Sequence, residues 1–136
     1  LTTIDERAFY ECKKIVHPVI PEGVELIGAW AFSGCKGMKS ILLPSTLKHI
    51  GDHAFQDCTS LSKIESGFYN FPEGLESIGI NAFLYIKVKE LLIPRSVSDI
   101  GGFAFNSNTL LEVYKGSYGY QYAQESSYEF GVMVEW

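Results

Sequence analysis

Five Ala-Phe pairs recur along this chain: Ala8-Phe9, Ala31-Phe32, Ala54-Phe55, Ala82-Phe83 and Ala104-Phe105. The phenylalanines stand 23, 23, 28 and 22 residues apart. Four residues before each alanine is an isoleucine: Ile4, Ile27, Ile50, Ile78 and Ile100. From the second copy onward a glycine follows it, at Gly28, Gly51, Gly79 and Gly101. Pro21, Pro44, Pro72 and Pro94 keep the same step, each three residues ahead of Val24, Leu47, Leu75 or Val97. A period of this length, held at so many positions, means a repeat array in which each unit buries its apolar side chains against its neighbours.

One unit can be read in physical terms. In "MKSILLP" the apolar Met38, Ile41 and Leu43 alternate with outward residues, which suits a short strand ended by Pro44. The equivalents are Leu61, Ile64 and Ser66, then Val88, Leu91 and Ile93, then Leu110, Val113 and Lys115. "LKHIG" turns Leu47 and Ile50 inward, and Gly51 turns the chain. "DHAFQDC" is expected to form a tight helical turn with Ala54, Phe55 and Cys58 inside. Stacked at the ~4.8 Å strand spacing, equal positions build continuous ladders.

The pattern LxxIxIPxxVxxIGxxAFxxCxxL resembles the BspA-like leucine-rich repeats common in bacterial surface proteins and some protozoan parasites. The resemblance runs from Leu1 to about Leu111. The tail "VYKGSYGYQYAQESSYEFGVMVEW" resembles that family's C-terminal closure. It implies a single α/β repeat solenoid, a right-handed leucine-rich-repeat stack of short parallel strands and short helical turns with a C-terminal cap. The units are expected at about 1–23, 24–46, 47–74, 75–96 and 97–116, with the cap at 117–136. Some units depart from the pattern: the first has Pro18 at the strand isoleucine position, and the third carries a five-residue insertion. The fourth has Ile86 and the fifth Asn108 at the Cys position, and the fifth is one residue short before its strand. Leu1-Thr2-Thr3-Ile4 matches Val24–Ile27, so the chain starts halfway through a unit, as a piece of a longer array would.

The stretch "IGDHAFQDC" looks like a catalytic or metal site until the copies are aligned. His53 is matched by Arg7, Trp30, Asn81 and Phe103, and Asp52 by Glu6, Ala29, Ile80 and Gly102. Such tolerance marks water-facing positions, whereas Cys58 is in register with Cys12 and Cys35 in the core slot. His49 and His53 have the spacing of helix-borne zinc ligands, but Ile50 and Gly51 separate them onto strand and turn. The three cysteines read as buried, reduced and inert thiols. No catalytic residues, no metal ligands and no cofactor are expected, and the chain reads as a non-enzyme.

The net charge of −5, from 11 basic and 16 acidic residues without a basic run, argues against a nucleic-acid partner. The apolar stretches are far too short for membrane insertion. Function then falls on a face. The outward strand residues Val19, Leu42, Glu65, Leu92 and Tyr114 form one column, beside His17, Ser40, Lys63, Glu90 and Glu112. The insertion "GFYNF", Gly67–Phe71, adds Phe68, Tyr69 and Phe71 at the margin of that face. These eight residues (the first column with the three aromatics) are the expected binding surface for a protein or glycan ligand. The resemblance implies an adhesion module at a bacterial cell surface or outside the cell. The alternative is a passive spacer in a larger surface protein. The tail tyrosines Tyr118, Tyr120, Tyr122 and Tyr128 are expected to cover the last rung, and the open N-terminal rung to favour self-association.

Overall fold

The computed structural model describes residues 1–134 as a stack of short parallel strands. One face is a five-stranded parallel sheet of two-residue strands: β1 (Thr3–Ile4), β2 (Leu26–Ile27), β4 (His49–Ile50), β6 (Ser77–Ile78) and β8 (Asp99–Ile100). In it Ile4, Ile27, Ile50, Ile78 and Ile100 stand in register and are buried. The second face carries β3 (Ser40–Leu42) paired with β5 (Lys63–Glu65). It also holds β7 (Glu90–Leu92), β9 (Leu110–Val113) and β10 (Phe130–Val132), where β9 pairs with both others. β10 lies in the tail, so the cap itself adds a sixth rung.

The third face corrects an expectation. The Ala-Phe segments are stacked turns, not helical turns. Alternate amides do different jobs: Ala31 N donates to Gly28 O (3.2 Å) to close a turn, while Phe32 N donates to Ala54 O in the next rung (2.8 Å). The residue before each Ala takes a left-handed conformation, with φ of 58° at Arg7, 62° at Trp30, 60° at His53, 55° at Asn81 and 54° at Phe103. That reversal stops a helix from propagating and frees every second N–H for the neighbouring rung. Nothing in the side chains announces it, because none of the five is glycine.

The rings of Phe9, Phe32, Phe55, Phe83 and Phe105 stack with near-parallel planes and centroids 5.1, 5.3, 5.1 and 6.0 Å apart, and all but the exposed Phe9 lie inside. Burying a ring of this size contributes roughly 1.5–3 kcal/mol. Cys35 and Cys58 lie beside them with Sγ 3.1 and 3.0 Å from the Phe9 and Phe32 carbonyls. All three cysteines are free thiols, although Cys12 is only partly covered. The neighbouring Cys35 sulfur and burial push the Cys58 thiol far above its usual range. The glycine after each strand isoleucine does more than turn the chain. A Cβ on Gly79 would stand 2.5 Å from the Asp52 N and 2.6 Å from the Gly51 C, both backbone atoms of the rung beneath.

The last unit corrects a second expectation. Leu111, not Val113, pairs with Leu91, and Glu112, not Tyr114, pairs with Leu92. Phe83 precedes its strand residue Leu91 by 8 positions (91 − 83), but Phe105 precedes Leu111 by only 6 (111 − 105). The shorter path pulls the strand back by two residues, and Lys115 stays outside. Asn108 is exposed as well, and it is the next residue, Thr109, that is buried. Asn106 instead ties the turn to its neighbour, accepting from Tyr85 N (2.6 Å) and donating to Ile86 O (2.8 Å).

The cap follows as α1 (Tyr118–Glu125), whose N-cap Ser117 Oγ accepts from Tyr120 N at 3.1 Å. Its tyrosines meet the last rung's free backbone. Tyr122 Oη donates to Gly101 O (3.0 Å), Tyr128 Oη donates to Phe105 O (2.8 Å), and Tyr118 Oη accepts from Ile100 N (3.3 Å). Tyr120 packs on Phe130 instead.

Candidate ligand-binding face

The ladder geometry of the second face turns two side chains per rung outward, one on either side of a buried residue. Val19 is bridged to Leu42, Leu42 is paired with Glu65, and Leu92 with Glu112. Val19 is 66% exposed and Leu42 40%. Glu65 and Leu92 are partly covered. The column is therefore Val19, Leu42, Glu65, Leu92 and Glu112, beside His17, Ser40, Lys63, Glu90 and Leu110. Tyr114 lies beyond the end of β9, half-buried, with the Arg95 guanidinium 4.0 Å above its ring. It still joins the surface, because Tyr69, Leu92 and Tyr114 border one narrow cleft.

The insertion interrupts this face. No strand pairing joins β5 to β7 among the described residues. Ser66 and Tyr69 exchange backbone bonds (Ser66 N to Tyr69 O 2.7 Å, Tyr69 N to Ser66 O 3.1 Å) and close a two-residue hairpin over Gly67 and Phe68. Gly67 supplies the positive φ of 62° that such a tight loop needs at its first central position. Phe68 at the tip is fully exposed and Tyr69 is 51% exposed. Phe71, expected at the surface, is a core residue at 1% exposure, with its ring 5.5 Å from that of Phe83. The reason is positional. It precedes Pro72 as Ile20, Leu43 and Ile93 precede their prolines, and all four are buried.

Asn70 repairs the interruption, and sequence reasoning missed it. In the intact part of the face Leu42 N donates to Pro18 O (3.1 Å). The equivalent bond from Leu92 N to Ile64 O is replaced by a relay: Leu92 N donates to Asn70 Oδ1 (2.9 Å) and Asn70 Nδ2 donates to Ile64 O (3.1 Å). A side-chain amide can do this because it carries the same donor and acceptor as a peptide group. The signal available was a lone amide in a segment that must leave one rung unpaired.

Two grooves flank the hairpin, and Tyr69 borders both. One, of about 570 Å³, lies toward β7 and is lined by both signs of charge, among them Lys63, Glu65, Lys89 and Glu90. Lys63 Nζ and Glu65 Oε1 are paired at 2.5 Å. The other, of about 640 Å³, lies toward the first two rungs, with Val19, Leu42, Pro21, Pro44, Pro72 and Tyr69 among its walls. On the far side of the mixed groove Glu90 stands beside Glu112 and raises the carboxyl of Glu112 above the usual range. Groups of three or more His, Cys, Asp or Glu placed to hold a metal are absent among the described residues. No helix there is long and apolar enough to cross a membrane.

The stretch "IGDHAFQDC" resolves into structure. Asp52 Oδ1 accepts from Ile80 N (2.8 Å), the His53 ring stacks on Trp30 (4.0 Å), and Nδ1 of His53 lies 2.6 Å from Gln56 Oε1.

The sequence matches the BspA type leucine-rich repeat region, in six copies over residues 2–129. No curated protein matches it. Among solved structures it is similar to the leucine-rich repeat protein TpLRR of T. pallidum. That match has 31% identity and a TM-score of 0.73, over 82% of this chain and 52% of that one. A leucine-rich repeat protein from Bacteroides ovatus matches with 34% identity and a TM-score of 0.72, over 83% and 28%. The pneumococcal vaccine antigen PcpA shares the fold at 18% identity and a TM-score of 0.59, over 88% and 42%. The chain thus spans about half of the first and under a third of the second. With six matching copies and rungs in one register, the chain belongs to the BspA-type leucine-rich-repeat family.

Proposed function

We propose that this chain is a non-catalytic recognition module that takes a protein or glycan ligand on its strand face, within a protein displayed at a bacterial cell surface. One observation carries the reading: an exposed strip of Val19, Leu42 and Tyr69 continues to Leu92 and Tyr114, with the fully exposed ring of Phe68 beside it. Apolar side chains scattered singly mean little, but a continuous strip along a groove marks an interaction surface. Aromatic residues there offer large contact area at low entropy cost. The surface location is supported by the family alone.

The test is retention of extracellular-matrix proteins and arrayed glycans by the isolated domain, compared with Leu42→Glu and with Phe68→Ala/Tyr69→Ala. Both variants change exposed side chains and are expected to keep the fold and lose the ligand. Unchanged retention in both would move the site to the turn face that carries Trp30, His53 and Phe103. Absence of any ligand would favour the spacer reading.

A further inference from the structure

The apolar groove beside the hairpin has an uneven electrostatic character. Its walls include Val19, Leu42, Tyr69 and three proline rings, with Ser45, Ser66 and Gly67 among them, and its only charged lining residues among the described residues are Glu22 and Glu73. Both carboxylates follow a proline and stand on one rim, in a column that runs Glu22, Ser45, Glu73 and Arg95. Arg95 closes the column outside the groove, over Tyr114. Neither Glu22 nor Glu73 is paired with a cation among the described residues. Glu22 is also held in place, since Ser45 N and Ser45 Oγ donate to its two oxygens at 2.8 and 2.7 Å. Those bonds, the backbone one first, lower its carboxyl below the usual range and keep it charged.

Resting on the strand-face reading above, we infer that this groove takes a short extended peptide segment in which apolar side chains alternate with Lys or Arg. The apolar side chains lie against Val19, Leu42 and Tyr69, and the cations reach the Glu22 and Glu73 rim. The reach is sufficient: these glutamates are two rungs apart, ~10 Å at ~4.8 Å per rung, and cations two residues apart on an extended chain stand ~6.8 Å apart, a difference of ~3 Å that long, flexible Lys and Arg side chains span. The chain's net charge of −5 favours encounter with such a segment and disfavours an acidic one. A neutral sugar fits less well, because its hydroxyls need partners along the walls, and of the neutral polar side chains there Ser45 already donates to Glu22 and Ser66 is buried.

The experiment is an amide NMR titration at low salt with the acetylated peptide Gly-Lys-Leu-Lys-Leu-Gly, its Glu-for-Lys counterpart, and cellohexaose. The Lys peptide is expected to shift the signals of Val19, Leu42 and Tyr69, and the Glu peptide to leave them in place. Glu22→Gln/Glu73→Gln, both at exposed positions, is expected to weaken the Lys peptide about fivefold or more, a difference that added salt erases. Equal binding of the two peptides, an unchanged affinity in the double variant, or shifts from cellohexaose alone would each overturn the inference. If the Leu42→Glu and Phe68→Ala/Tyr69→Ala variants lose a captured ligand while the Lys peptide fails to bind, the strand-face reading stands and only this one falls.

Discussion

Asn70 shows how one side chain can stand in for a peptide group. Both ends of its amide are committed, to Ile64 O and to Leu92 N. Asn70→Ala removes both partners at once and leaves a part-buried donor and acceptor unpaired, so a loss of about 1–3 kcal/mol is expected in urea unfolding, with an unchanged m-value. Glu112 makes a different demand. Its carboxyl is raised by Glu90, so the folded state holds the proton more tightly than the unfolded one. The stability this brings is complete below pH 4.5 and fades as the pH rises through the folded value. Glu112→Gln is therefore expected to match the parent at pH 4 and exceed it at pH 7, by less than about 0.5 kcal/mol because the group is only partly covered and water screens the pair. Thermal melts at the two pH values, repeated in high salt to screen the pair, check it. Phe71 was legible in the sequence through its place before Pro72, once the proline rather than the strand is taken as the register mark. Asn70 was not, because an amide in a loop gives no periodic signal.

Within the repeating elements the ladders were the readable part. The same residue type at the same step means the same slot, so Phe55 and Ile50 could be placed in the core directly. Phe55→Ala is expected to cost about 3–5 kcal/mol, whereas Phe9→Ala at the 39%-exposed end of the stack should cost less than half of that in the same denaturation experiment. Gly79→Ala tests the close approach of adjacent rungs. Its Cβ would meet backbone rather than a movable side chain, so a loss of about 3 kcal/mol or more is expected by thermal unfolding. The turn conformation was not readable, since Arg7, Trp30 and Phe103 are residue types that ordinarily avoid positive φ, and His53 and Asn81, which adopt it more readily, stand in only two of the five copies. The fifth strand was misplaced for a related reason. Leu110 and Leu111 are both apolar, and only the shortened path from Phe105 decides which of them faces inward.

For the molecule as a whole, stability rests on contacts between rungs, and the cap has to satisfy the last one. Tyr122 and Tyr128 do so with hydroxyls that burial holds protonated above the normal tyrosine range. The unfolded chain ionises its tyrosines near pH ~10 while the folded one resists, so folding loses stability as the pH climbs beyond that point. Tyr128→Phe is expected to lose about 1–2 kcal/mol at pH 7 through the unpaired Phe105 carbonyl, and to show a shallower decline than the parent between pH 10 and 12 in circular-dichroism melts. The Asn70 relay has a consequence at this scale too. Because the rungs on either side of the hairpin are linked by an amide rather than by the hairpin backbone, the residues at its tip bear none of the stacking. Their number and kind are free to drift from one descendant of this sequence to another while the stack beneath is inherited unchanged. The third unit is thus a place where new specificities can be tried without putting the scaffold at risk.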